Sequence, residues 1–170
     1  MKRLLGLFFE LTALKKGPQD IPVSSSVIQI VAGAYLVINL TILQLNNDWG
    51  VAALQILVDL LLMVVFTWPL LYFSGWTNRL QQTLLALMGA DAVINFFALP
   101  ALASLNHQPT DLGFFAMLLL MLWHWLVIGH IYRHALERPL FMALGLAFLY
   151  LLLSSQLMEA LFPVTTLEQG

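Results

Sequence analysis

Three ionisable side chains, Asp59, Asp91 and His124, stand deep within long apolar stretches that carry almost no other charge away from their ends. A carboxylate and an imidazole brought together there can trap a proton, pass one on, or hold a polar ligand. Placing a carboxylate at the centre of a membrane-spanning helix costs about 2.5 to 3.5 kcal/mol on insertion scales, so such groups turn toward the interior of a helix bundle. At 1.5 Å per residue, Asp59 and Asp91 fall roughly 12 to 16 Å from the starts of their apolar stretches, one entering the bilayer from the outer face and the other from the cytoplasmic face, with His124 near the middle of its own. Asn39 and Asn95 lie at comparable depth, and Asp91 and Asn95, four residues apart, share one helix face. A polar cluster of Asn39, Asp59, Asp91, Asn95 and His124 is therefore expected. A competing reading needs no ligand: neutral Asp, Asn and His hydrogen-bond between helices to fix their packing, and Gly33, Ala34, Gly89 and Ala90 permit the close approach.

A second constellation, His130, His134 and Glu137, has spacings of four and three, which place two nitrogens and an oxygen along one helical stripe. That set could hold a zinc ion with a water or a fourth ligand from elsewhere. The plainer alternative is that histidines and Arg133 at a helix C-terminus favour the helix dipole and headgroup phosphates. A bis-histidine haem site would need a partner for His124 on another helix, and His107, His130 and His134 do not supply one, so no cofactor is expected. The chain has no cysteine, which removes disulfides, thiolate metal sites and thiol redox chemistry. No HExxH, glycine-rich phosphate loop or Gly-x-Ser-x-Gly elbow occurs, and Ser154-Ser155 reads as helix-packing serine, so an enzyme is not expected.

The elements that must position these residues follow from composition and charge. Of the 170 residues, 61% are hydrophobic and 9% charged, with a mean hydropathy of +0.88, far from the roughly 25% charged residues of soluble domains. Five apolar stretches read as membrane spans at about 23–45, 51–73, 80–105, 112–134 and 139–162. All seven basic residues, Lys2, Arg3, Lys15, Lys16, Arg79, Arg133 and Arg138, fall in alternate gaps between these stretches. Retention of Lys and Arg on the cytoplasmic side then places the N-terminus in the cytosol and the C-terminus outside. Five spans and short connections occupy the 170 residues and leave no stretch for a soluble nucleotide-binding or receptor module. The basic segments suit anionic lipid headgroups, not nucleic acid.

Residues 1–16 contain an apolar run too short to cross a bilayer, with Leu4, Leu7, Phe8, Leu11 and Leu14 at helical spacing. They are expected to form an amphipathic interfacial helix, with Lys2, Arg3, Lys15 and Lys16 available for membrane or partner docking. Lys15, Lys16 and Gly-Pro stand where a signal peptide would need its small-residue cleavage site. The fold class is thus an all-α membrane protein: the interfacial helix, then a five-helix bundle over 17–170. Pro69 and Pro100 interrupt spans near their ends, and Trp49, Trp68, Tyr72, Trp76 and Tyr132 are expected as boundary anchors. An internal repeat is also in view. Gly33 to Asn39 matches Gly89 to Asn95 at five of seven positions, and each copy is followed by Leu-Asn and then Asp-x-Gly. A duplication would make two parallel hairpins and put Asn39 and Asn95 in equivalent places.

Leu14-Lys15-Lys16-Gly17-Pro18-Gln19-Asp20-Ile21-Pro22 before five spans, with Gly129-His130-Ile131-Tyr132-Arg133-His134-Ala135-Leu136 closing the fourth, resembles small uncharacterised bacterial inner-membrane proteins. These are similar to the Yip family of five-span proteins, whose eukaryotic members interact with Rab GTPases. The Asp-Leu-Tyr-Gly-Pro type motif of those members does not occur here, so no functional residue is carried over. The resemblance implies a non-catalytic, membrane-organising or adaptor protein of the bacterial inner membrane that binds a partner protein, a second copy or lipids. The buried Asp/His cluster supports the alternative expectation, a proton-linked carrier or channel subunit.

Overall fold

Long apolar segments with few helix breakers can satisfy their backbone groups in a bilayer only as helices or closed barrels, and here they are helices. The computed structural model describes residues 2–45, 47–107 and 111–163, and contains no strand among them. Positions 1, 46, 108–110 and 164–170, which belong to the segments 1–16 and 17–170 read above, lie outside the described residues. So do the side chains of Lys2, residue 101 and residues 103–107. Helix α1 covers Lys2–Thr12, a 3-10 turn covers Pro18–Asp20, and five long helices follow: α2 Ser25–Leu43, α3 Trp49–Ser74, α4 Leu80–His107, α5 Asp111–Leu136 and α6 Leu140–Leu161. All five are long and apolar enough to cross a membrane.

Local chemistry explains the boundaries. The Ser24 hydroxyl accepts the Val27 N–H at 3.3 Å and caps α2, so this helix starts two residues inside the apolar stretch. Gly75 ends α3 in the left-handed region at φ 80°, where the Trp76 N–H reaches back to the Leu71 carbonyl. Glu137 closes α5 in the same way at φ 53°, with the Arg138 N–H on the Arg133 carbonyl, and Leu14 closes α1 at φ 62°. Pro69 and Pro100 remain inside continuous helices.

Helix α4 is the central element, packed against α1, α2, α3 and α5, while α6 packs on α5 and α3. Small side chains make this close approach sterically allowed: Ala86, Ala90, Ala92 and Ala98 of α4 are all buried. The outward faces are mainly apolar, with Leu57, Leu61, Phe114, Leu119 and Phe148 exposed and Phe73 and Phe141 reaching 83% and 88%. A soluble monomer rarely shows apolar patches beyond a few hundred Å²; lipid is the solvent this surface fits. The chain is a multi-pass membrane protein.

Helix α1 is docked on the bundle. Phe8 and Leu11 are buried, and a Cβ at Gly89 would lie 2.1 Å from the Phe8 ring. The Trp123 indole donates to the Thr12 carbonyl at 2.9 Å, and the Phe9 and Phe97 rings meet edge to face at 6.2 Å. Gly89 is nine residues along α4 from Leu80, roughly 14 Å, so the buried face of α1 rests well along the bundle. Tyr132 corrects a boundary assignment. It is completely buried, packs against Phe66 and Tyr150, and shares a hydrogen bond of 3.2 Å with Thr67. It is a core residue of the α3–α5–α6 junction, whereas Trp49, Trp68 and Tyr72 are exposed.

Gly89→Val is expected to displace the Phe8 ring and loosen α1 on α4, because a Cβ at position 89 would lie 2.1 Å from that ring; overpacking of this kind costs about 1–3 kcal/mol. In a chain carrying Phe9→Cys and Phe97→Cys, whose parent rings are in contact, a short bis-maleimide should bridge the two thiols when position 89 is glycine and lose most of that bridging when position 89 is valine.

Candidate functional site

Helices α2, α3 and α5, each in contact with α4, bring interior polar residues together with those of α4. The Asn39 amide of α2 donates to Asp91 Oδ2 at 2.8 Å and to the Tyr35 carbonyl at 3.0 Å. The Asn95 amide donates to the same Asp91 oxygen at 3.0 Å and to Asn39 Oδ1 at 3.0 Å. Asp91, Asn39 and Asn95 thus form a closed triangle in which one carboxylate oxygen receives two amide donors. The other, Oδ1, lies 3.6 Å from His124 Nε2 of α5. Only 14% of the Asp91 side chain and 25% of the His124 side chain is exposed. On α3, Asp59 accepts a hydrogen bond from the Tyr35 hydroxyl, and Ser154 of α6 stands beside it. Tyr35 is itself 1% exposed.

All five residues expected to cluster, Asn39, Asp59, Asp91, Asn95 and His124, therefore lie in one polar centre to which every long helix contributes. Two members were missed. Tyr35 reads as an ordinary aromatic of an apolar helix, although it aligns with Asp91 in the repeat and sits one turn from Asn39. Ser154, read as packing serine, lies at the edge of the centre, while Ser155 bonds its own helix at Leu152. The two copies of the repeated segment place their members in related roles. Tyr35 reaches the following helix at Asp59, and its counterpart Asp91 reaches the following helix at His124.

Two clefts meet at His124. One, of about 280 Å³ between α4 and α5, extends from Phe114 and Met117 to Asn95 and His124. The other, of about 700 Å³ between α5 and α6, is bounded by Trp125, Phe148, Ser154 and Gln156. One turn from Asp59 on α3, the buried Gln55 Oε1 has no hydrogen-bond partner among the described residues. A carboxylate beside an imidazole, with clefts on either side and a spare acceptor nearby, can exchange a proton or hold a small polar solute.

The second constellation does not converge. Glu137 turns to Arg79, whose Nη2 donates at 2.7 Å, and His130 Nε2 is 2.9 Å from the Lys16 carbonyl oxygen. The His130 and His134 rings meet edge to face with centroids 4.5 Å apart. Among the described residues no group of three His, Asp or Glu side chains could hold a metal ion. The reason is that Glu137, in the left-handed position that ends α5, leaves the stripe on which its spacing had placed it. Arg79 also donates to the His134 carbonyl at 3.3 Å and stacks on Trp76 at 3.8 Å, tying the start of α4 to the end of α5. Of the expected docking residues, Arg3, Lys15 and Lys16 are exposed, and the Lys2 side chain is outside the described residues. The chain matches no protein-family model, no curated protein and no solved structure.

Asp91→Ala should leave the Asn39 and Asn95 amides short of their acceptor and lower stability by about 1–2 kcal/mol, the range for interhelical hydrogen bonds with buried partners. Thermal denaturation in detergent checks it. The combined Asn39→Leu, Asp91→Leu and Asn95→Leu variant should lose less than the sum of the three single changes, because no member of the triangle is then left without its partner.

Proposed function

We propose that this chain is a non-enzymatic multi-pass membrane protein that acts through its polar centre, as a proton-linked carrier or channel subunit. The observation that carries the reading is the Asp91–His124 pair at the meeting point of two clefts. Ionisable groups inside a membrane are costly to keep there, and their usual roles are proton relays and ion or substrate pathways. The Gln55 oxygen, without a hydrogen-bond partner among the described residues, adds a further acceptor near this centre.

Orientation in this reading follows the basic residues. The end of the bundle carrying Lys15, Lys16, Arg79, Arg133 and Arg138 faces the cytosol of a bacterial inner membrane, with α1 beneath the headgroups on that side and the C-terminus outside. A membrane-organising adaptor is the second reading. It is favoured by the exposed Arg3, Lys15 and Lys16 and by the Yip-like layout, with a partner protein or a second copy docking at the basic end.

Because the chain lacks cysteine, single introduced thiols report orientation without background. A membrane-impermeant thiol reagent should label Asn47→Cys in intact cells and Gln19→Cys only after the membrane is opened; the reverse pattern would overturn the orientation. For the activity, Asp91→Asn and His124→Gln should purify as folded protein and reduce a pH-dependent flux in liposomes by at least about tenfold, the scale on which loss of a proton-transfer group is felt. Undiminished flux in both variants, or flux absent from the unaltered protein, would shift the weight to the adaptor.

A further inference from the structure

At the end of the bundle opposite the mouth of the α4–α5 cleft, the chain between α1 and α2 crosses α5 and leaves a second kind of cavity. It has a volume of about 470 Å³ and is bordered by Lys15, Lys16, His130, Arg133 and His134. Three of these, Lys15, Lys16 and Arg133, are basic side chains exposed at its rim. Among the described residues Asp20 is the sole carboxylate on the lining, and its Oδ2 already accepts the Gly17 N–H at 2.9 Å, within the turn that begins at Pro18. The cavity therefore carries an excess of positive charge with little internal compensation. Its floor is different in kind. Leu126, Leu140 and Leu144 supply an apolar surface that continues onto the lipid-facing sides of α5 and α6, where Leu140 is 41% exposed.

A cationic rim directly above an apolar wall has the polarity profile of a phospholipid: phosphate at one end, acyl chain at the other. We propose that this cavity holds the phosphodiester headgroup of an anionic phospholipid of the adjacent leaflet, with one acyl chain along Leu126, Leu140 and Leu144. The Lys16 main chain is anchored for this role by its carbonyl contact with His130. That contact fixes the basic pair Lys15-Lys16 over α5, where a freely moving linker would not hold it. The charge excess selects an anionic over a zwitterionic lipid, and the apolar floor selects a lipid over a free anion. Each Lys or Arg near an anionic headgroup contributes about 1 kcal/mol, roughly fivefold in affinity. This site is independent of the polar centre and stands or falls without it.

Native mass spectrometry of the detergent-purified full chain tests the proposal, after incubation with phosphatidylglycerol, with phosphatidylcholine of the same acyl composition, or with phosphatidylglycerol plus inorganic phosphate. Phosphatidylglycerol should remain bound where phosphatidylcholine does not, and millimolar phosphate should not displace it. The combined Lys16→Gln and Arg133→Gln variant should retain at least about tenfold less phosphatidylglycerol, while Arg138→Gln, at the same end but off the cavity lining, should retain it as the unaltered protein does. Equal retention of both lipids by the unaltered protein overturns the proposal without any variant. Displacement by inorganic phosphate would mark a free-anion site and overturn the lipid assignment. Unchanged retention in the double variant would place the lipid elsewhere and likewise overturn it.

Discussion

A carboxylate in the bilayer interior has no water to lean on, and the arrangement of this bundle depends on how Asp91 is accommodated. Two amide donors from different helices converge on one of its oxygens and an imidazole faces the other. Because Asn39 and Asn95 also bond each other, withdrawing α2 from α4 would break the triangle at more than one edge. The lipid tails on the outer face offer the helices nothing that the bundle interior does not. Association therefore leans on these few polar contacts and on steric fit, not on hydrophobic burial.

Steric fit explains why α4 is the helix at the centre. Its run of alanines and Gly89 leaves room for α2 on one side and for the Phe8 ring on another, so the same helix that carries Asp91 also receives α1. At the basic end, Arg79 fastens α4 to the last carbonyls of α5 and to Glu137. Helix α5 is thus held at two levels, by Arg79 at its end and by Asp91 at His124. The segment between α1 and α2 is held to it by His130. The polar centre and the basic end are two separate sets of contacts joined by rigid helices.

Much of this was legible in the sequence because the constraint is severe. Five apolar runs with polar gaps translate directly into five helices, and side chains as rare as Asp59, Asp91 and His124 in such runs have few places to go but inward. The misses have physical causes. Tyr35 is amphipathic, so its hydroxyl leaves no mark in an apolar pattern, and only its alignment with Asp91 in the repeat pointed to it. Tyr132 lies near a helix end in the chain, but position along a helix does not say which side it faces, and the side it faces is the α3–α5–α6 core. Glu137 matched a ligand spacing only on the premise that α5 continued through it. A left-handed residue in place of the next helical turn sends its carboxylate to Arg79. The docking of α1 at Gly89 was not readable either, since a glycine that admits a ring looks the same in sequence as one that admits a helix.

The central claim is that the polar centre is a protonatable site and not only a packing device. Infrared difference spectroscopy between low and high pH, on the protein reconstituted in lipid, addresses it most directly, with Asp59→Asn and Asp91→Asn used to assign the carboxyl stretch. A buried carboxyl band that appears and disappears reversibly with pH, is lost in one of these variants, and leaves the helical amide bands unchanged is the predicted result. No titrating carboxyl band assignable to either residue across the range in which the protein stays folded would contradict it and leave the cluster as interhelical glue.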